Sequence, residues 1–282
     1  GAVHAIAISG EATTTLHSVV DLHPEAAEQL AKKYNAIVLS LDQAFNNNEI
    51  DAFIIASSTA THADLIERCA RAGKPVFCEK PIDLSLDRAL SCAKVVKESG
   101  IVCMIGFNRR FDNSHRKVKQ AKDNGEIGEL EMVIISSRDP EPPGLDYLKA
   151  AGGFFRDTTI HDFDLIRFYL GNDEVKEIFA TTTNLSDLRI KKINDYELAM
   201  FLIKSKKGVM CMINNSRHCS YGYDQRVEVF GSKGMVISGN RRDNASEKFL
   251  ESKTAIKRPL LNFFIDRYEE AYKLQLDDLI DL

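Results

Sequence analysis

The 282-residue chain has little of what marks a non-globular or specialised protein. Seven Pro and sixteen Gly are too few for a disordered or collagen-like chain. No apolar run reaches the length of a membrane-spanning helix, and no segment near Gly1 reads as a secretory signal. Neither sign of charge dominates. The 37 Lys and Arg stand against 41 Asp and Glu, a net −4, which leaves no basic footprint for nucleic acid. The six cysteines form no CxxC pair and no metal-ligand spacing with histidine. A disulfide scaffold and a metal site are therefore not expected, and reduced thiols point to the cytoplasm. With 44% hydrophobic and 28% charged residues, the chain can build one large or two ordinary cores.

The first hundred residues alternate short apolar strands with helical stretches. Strand-type runs lie at 16–21, 36–38, 51–56, 75–79 and 101–107. Helical patterns lie at 24–34, 41–46, 62–72 and 84–99, two of them closed by Gly73 and Gly100. The runs 51–56 and 75–79 are apolar almost throughout, as strands buried on both faces are. Repeated strand–helix–strand units of this length imply a parallel sheet covered by helices.

The pattern changes near Arg110. A polar helix at 117–124 is followed by longer strand-type runs at 131–137, 177–183, 196–203, 209–215, 225–230 and 235–238. Only the helix 159–170 interrupts them, and turn pairs such as Lys207-Gly208 and Lys233-Gly234 separate them. That predicts a large, mostly antiparallel open sheet. A last amphipathic helix spans 262–282. The reading is an α/β chain of two domains, 1–109 and 110–282.

Certain positions could carry chemistry. Asp21 ends a strand, where an acid can bond the ribose hydroxyls of a dinucleotide. No Lys or Arg follows it in Leu22-His23-Pro24, which favours NAD over NADP; capping of the next helix explains the same acid equally simply. Ser57-Ser58-Thr59 follows a buried strand and precedes a helix, a place for a diphosphate, a ribose or an ordinary cap. Lys80, between Glu79 and Pro81, sits at the carboxyl end of a strand, where ligands bind in parallel sheets. Asp157 and His161 are four apart after the pair Gly152-Gly153. On a helix they share a face, so the acid can orient a general base; a surface ion pair has the same spacing. His161 has no second His at the spacing of a zinc helix. Arg138-Asp139 and the group Tyr221, Tyr223, Asp224 and Arg226 suit a polyol, or the polar tip of a hairpin.

Five blocks in order resemble the Gfo/Idh/MocA family of nicotinamide-dependent sugar oxidoreductases, and within it the members that act on inositol. They are residues 79–83, 106–112, 137–140, 156–164 and 221–231. The resemblance implies a Rossmann domain followed by an α/β domain whose open sheet makes a homodimer or tetramer contact. It implies NAD-dependent oxidation of a cyclic polyol of the myo-inositol type to its ketone. Lys80, Asp157 and His161 fall on the family's catalytic positions. Gly1, Asp21, Ser57, Ser58, Thr59, Glu79 and Lys80 fall on its cofactor contacts. Arg138, Asp139, Tyr221 and Tyr223 are the expected polyol contacts.

The family pattern opens with a strand and GxGxxG, of which Gly1 matches only the last glycine. The pattern's first strand has no counterpart here, so a gap is expected in the first sheet. The family also continues beyond the residue matching Leu282. The chain is expected to be shortened at both ends. Other readings stay open: another polyol or an aldose as substrate, or a non-catalytic member acting as a binding or scaffold protein.

Overall fold

Local signals set most of the elements in the computed structural model, which describes residues 1–282. Helix α1 (Ala2–Gly10) starts from Gly1 with no side-chain cap. Strand β1 (Ser18–Val19) leads to α2 (Pro24–Tyr34), which has Pro in its first turn and closes on Asn35 at φ 54°. After β2 (Ile37–Val38), α3 (Leu41–Phe45) opens on a reciprocal Ser40/Gln43 capping box. Then come β3 (Phe53–Ile55), α4 (His62–Ala72), β4 (Val76–Cys78), α5 (Leu86–Ser99) and β5 (Cys103–Ile105). Ser85 caps α5, and Gly73 and Gly100 end α4 and α5 in the left-handed region.

All pairing among these strands is parallel. It falls into two sheets, β1-β2 and β3-β4-β5, with no ladder joining β1 to β3. The sequence reading anticipates a gap at this place. Ile55, Ile66, Cys69, Val76, Cys78 and Cys92 form the core beneath α4 and α5.

The second part begins with α6 (Asn113–Asp123). It starts four residues before the expected Lys117 because the Asp112 carboxylate accepts from the Ser114 and His115 amides. There follow β6 (Leu130–Arg138), α7 (Leu145–Ala150), a π-helical turn (Phe155–Thr159), α8 (Ile160–Leu170), β7 (Val175–Thr183) and α9 (Leu188–Lys192). The rest is β8 (Leu198–Ser205), β9 (Met210–Ser216), β10 (Asp224–Gly231), β11 (Gly234–Ser238), the hairpin β12 (Glu247–Leu250) and β13 (Lys253–Lys257), and α10 (Phe264–Ile280).

Six strands form one mixed sheet in the order β11-β10-β6-β9-β8-β7. Four of the pairings are antiparallel; β6 and β9 run parallel because α7, α8, β7 and β8 intervene between them. Strict alternation divides its faces. Val133, Ile135, Phe201, Ile213, Val227 and Val229 point inward against Leu165, Ile166 and Tyr169 of α8. Met200, Leu202, Met210, Phe230, Met235 and Ile237 point outward and are exposed.

The chain forms two units, Gly1–Asn108 together with Glu270–Leu282, and Arg109–Glu269. The sequence reading assigned all of 110–282 to the second domain. The structure instead gives the last thirteen residues to the first unit, because Leu276 and Leu279 pack with Ala7, Ile8, Leu16 and Ile54. Helix α10 departs from helical geometry at Tyr268, beside the division. Elements α7, α9 and the β12–β13 hairpin are absent from the sequence reading. They are short and mostly exposed, with too few turns for periodicity to register.

Candidate active site

In the first unit the candidate residues gather at the carboxyl ends of the parallel strands. Strand β4 is wholly buried, and its ladder continues past its end as the Glu79 amide donates to Ile55 O (2.9 Å). That holds the backbone ahead of Lys80, which is half-buried. His62, 1% exposed, joins the two loops. Its Nδ1 lies 2.7 Å from Pro81 O and its Nε2 3.1 Å from Ser57 O. The sequence reading did not single it out, since a histidine that opens a helix looks like a surface residue.

Glu79 is committed to the scaffold. Its carboxylate meets His4 Nε2 of α1 at 2.7 Å and closes over Gly106, where a Cβ would stand 2.8 Å from Glu79 Oε2. A side chain at 106 would therefore displace the Glu79 carboxylate from this position. Asp21 is exposed just beyond β1; one of its oxygens accepts from the His23 amide at 2.9 Å. Ser57 and Ser58 are exposed, with Ser57 Oγ 2.7 Å from Thr61 Oγ1. Thr59 begins a tight turn into α4.

These features fit a dinucleotide. The first-turn amides of α1 have no side-chain cap and present positive dipole where a diphosphate would lie. Asp21 keeps a solvent-facing carboxylate for ribose hydroxyls, with no cation beside it in sequence to match a 2′-phosphate.

In the second unit the π-helical turn runs directly into α8, so Asp157 and His161 lie one turn apart on a continuous helical segment. π-Turns recur at functional sites because they displace side chains from the regular face. Asp157 accepts from Tyr147 Oη at 2.9 Å and from Arg217 Nη1 at 3.4 Å. Burial, with the charge of Asp157 adding to it, pushes the Tyr147 phenol up. The residues around His161 are locked to the sheet. Thr159 Oγ1 donates to Asn215 Oδ1 (2.8 Å), and Asn215 Nδ2 to Asp162 Oδ2 (2.8 Å). The buried Arg109 guanidinium donates to Asp162 Oδ1 (2.7 Å) and Ser137 Oγ (3.1 Å).

The four expected polyol contacts fall into two groups. Asp139, beyond β6, lies in the field of Arg109, Arg217, Asp157 and Asp162; burial above all, with the two neighbouring acids, raises its carboxyl to about 6. Tyr223 is 5% exposed, packs against Phe263 and Tyr268, and interacts with Arg109, Asp139 and Asp162. Arg138 and Tyr221 belong to the other face. Arg138 donates to Tyr221 Oη (2.6 Å) and Asn214 Oδ1 (2.7 Å), while its neighbours in sequence, Ser137 and Asp139, take the face of α8. Alternation in β6 puts Ser137 and Arg138 on opposite faces. Sequence reasoning missed Arg217, Asp195 and Tyr147. The only signal was an arginine directly after an apolar strand.

Residues 1–107 match the oxidoreductase family with the NAD-binding Rossmann fold, and residues 115–237 match the GFO/IDH/MocA C-terminal domain. The chain is 47% identical over 280 residues to an inositol 2-dehydrogenase of Rhizobium meliloti, covering 99% of this chain and 84% of that protein. The crystal structure of a myo-inositol dehydrogenase from Corynebacterium glutamicum superposes with a TM-score of 0.95 at 40% identity, over 100% of this chain and 84% of that one. A scyllo-inositol dehydrogenase from Lactobacillus casei, solved with NAD(H) and scyllo-inositol, superposes at 0.89 with 27% identity, over 99% and 85%. The chain therefore belongs to the Gfo/Idh/MocA family of oxidoreductases, as its two folded units and its sequence motifs both require.

Proposed function

We propose that this protein oxidises a cyclic polyol of the myo-inositol type to its ketone, with NAD as the hydride acceptor. The observation that carries the reading is the extended likeness to inositol 2-dehydrogenases, 47% identity to one of them over nearly the whole chain. NAD, when bound, supplies the electrophilic ring carbon that takes the hydride. It would be held by the α1 amino end next to Gly1, by Asp21, and by the loop Ser57, Ser58 and Thr59.

The chain's own residues handle the proton and the charge. His161 takes the proton of the reacting hydroxyl as a general base. Asp157 orients the imidazole and stabilises its protonated form. Lys80 is the cation for negative charge that develops in the reaction, an electrostatic contribution that is preorganised because β4 and His62 hold its backbone. Glu79 supports that arrangement through His4 rather than touching the cofactor. Asp139 and Tyr223 are the favoured polyol contacts. Arg138 and Tyr221 are reassigned to the outer sheet face.

That face supports a homo-oligomer. Met200, Leu202, Met210, Phe230, Met235 and Ile237 make an exposed apolar surface of the kind that marks an interface. A cytoplasmic location is supported by six free cysteines, with burial raising Cys69 to about 12 and Cys103 to about 11. NAD reduction measured over a panel of inositols, linear polyols and aldoses tests the reading. Turnover confined to inositols is expected. Turnover only with aldoses, or with none of the panel despite NAD binding, would refute it.

A further inference from the structure

Arg217 is fully buried, and the mechanism above gives it no part. It leaves the end of β9 and reaches the π-helical turn and the loop between α9 and β8. Its Nη1 donates to Asp157 Oδ2 at 3.4 Å, its Nη2 to Asp195 Oδ2 at 3.1 Å, and its Nε to Tyr196 O at 3.3 Å. Its guanidinium lies 4.7 Å from the Phe154 ring centre. Asp195 in turn accepts from the Phe154 amide at 2.7 Å, at the entrance of the π-helical turn that carries Asp157. One guanidinium thus serves two carboxylates and packs on the segment that joins them. A buried cation is costly unless its partners are well placed, so its retention here needs a reason beyond packing.

We propose that Arg217 is a positioning residue: it holds Asp157 on the π-turn and, shared with Asp195, sets how much of the Asp157 charge is left to act on His161. The proposal rests on the reading of Asp157 and His161 as orienting acid and base. The titratable groups facing Asp157 within the unit are Arg217, Asp139 and the neutral Tyr147 phenol, with Asp195, Asp162 and Arg109 around them. Withdrawing the Arg217 charge exposes His161 to the full charge of Asp157 and favours the imidazolium. Withdrawing the Asp195 charge directs Arg217 entirely to Asp157 and has the opposite effect.

The test is an NMR titration of the His161 Cε1 proton in the purified chain, assigned by its loss in His161→Asn. Asp157→Asn is the control for the underlying reading and should move the midpoint to lower pH. Arg217→Met should move it to higher pH, and Asp195→Asn to lower pH. Arg217→Lys keeps the charge without the planar fork and should stay near the parent. In turnover assays Arg217→Met should lose about 10- to 100-fold in kcat, with KM changed far less. If Arg217→Met does not fold, the Asp195→Asn and Arg217→Lys titrations decide. If Asp157→Asn shifts the midpoint but the Arg217 and Asp195 variants do not, Arg217 only fills the core and the proposal is overturned. If Asp157→Asn has no effect, the acid–base reading itself fails.

Discussion

The two units bury different chemistry. In the first, the buried side chains are apolar, thiol, imidazole or, at Asn108 and Gln275, amide, and no Asp, Glu, Lys or Arg is among them. In the second, Arg109, Asp112, Asp162, Asp164, Asp195, Glu197, Arg217, Asp224 and Arg267 are all buried. A parallel sheet places its functional groups at strand ends, where backbone amides and loop hydroxyls meet solvent, so its interior can be apolar. The second unit holds Asp157 and His161 on a helix laid over a sheet face. That helix is anchored by charges inside the layer, Arg109 to Asp162 and Arg217 to Asp157 and Asp195. The candidate residues of the first unit thus depend on backbone geometry, and those of the second on buried ion pairs.

Removing a charge should therefore cost far more in the second unit than in the first. Arg109→Met strands Asp162 in the interior and is expected to destabilise by about 3–5 kcal/mol in urea denaturation. Pairing it with Asp162→Asn should recover most of that loss. A loss below 1 kcal/mol for the single variant would break the contrast.

Asp139→Asn should act in the opposite sense. Burial raises the Asp139 carboxyl to about 6 in the folded chain, against about 3.9 for the unfolded chain. The folded protein therefore keeps the proton to higher pH, and the stability this gives, full below about pH 4, is lost as pH rises through 6. The asparagine variant should be more stable by roughly 1–2 kcal/mol at pH 7.5 and unchanged at pH 4. Equal stability at both values would mean that Asp139 titrates as an ordinary surface acid. The smallest effect is expected in the first unit, where Arg68 pairs with the exposed Asp42. Arg68→Met should change stability by less than about 1 kcal/mol.

The same division explains what could be read from sequence. Helices α2 and α4 were legible to the residue because Pro24, Asn35 and Gly73 mark their ends locally. The strand ahead of Lys80 was legible because its run is apolar almost throughout, as a strand buried on both faces is. The support of the proton-handling pair was not. Arg217 and Asp157 are 60 residues apart, and Arg109 and Asp162 53 apart, and no local pattern records such a pairing. Arg138 and Asp139 are adjacent and were read as one group, although alternation sends their side chains to opposite faces. His62 was missed because its partners are backbone carbonyls, which every residue has.

The central claim is that Asp157 and His161, one turn apart on a continuous helical segment, serve a single proton-handling step. A double-mutant cycle on the rate of NAD reduction tests it most directly, using Asp157→Asn, His161→Ala and the combination. Each single variant should lose about 100- to 10,000-fold in kcat, and the double variant should be scarcely worse than the poorer single. Losses that multiply in the double variant would mean that the two residues act independently, and would contradict the account.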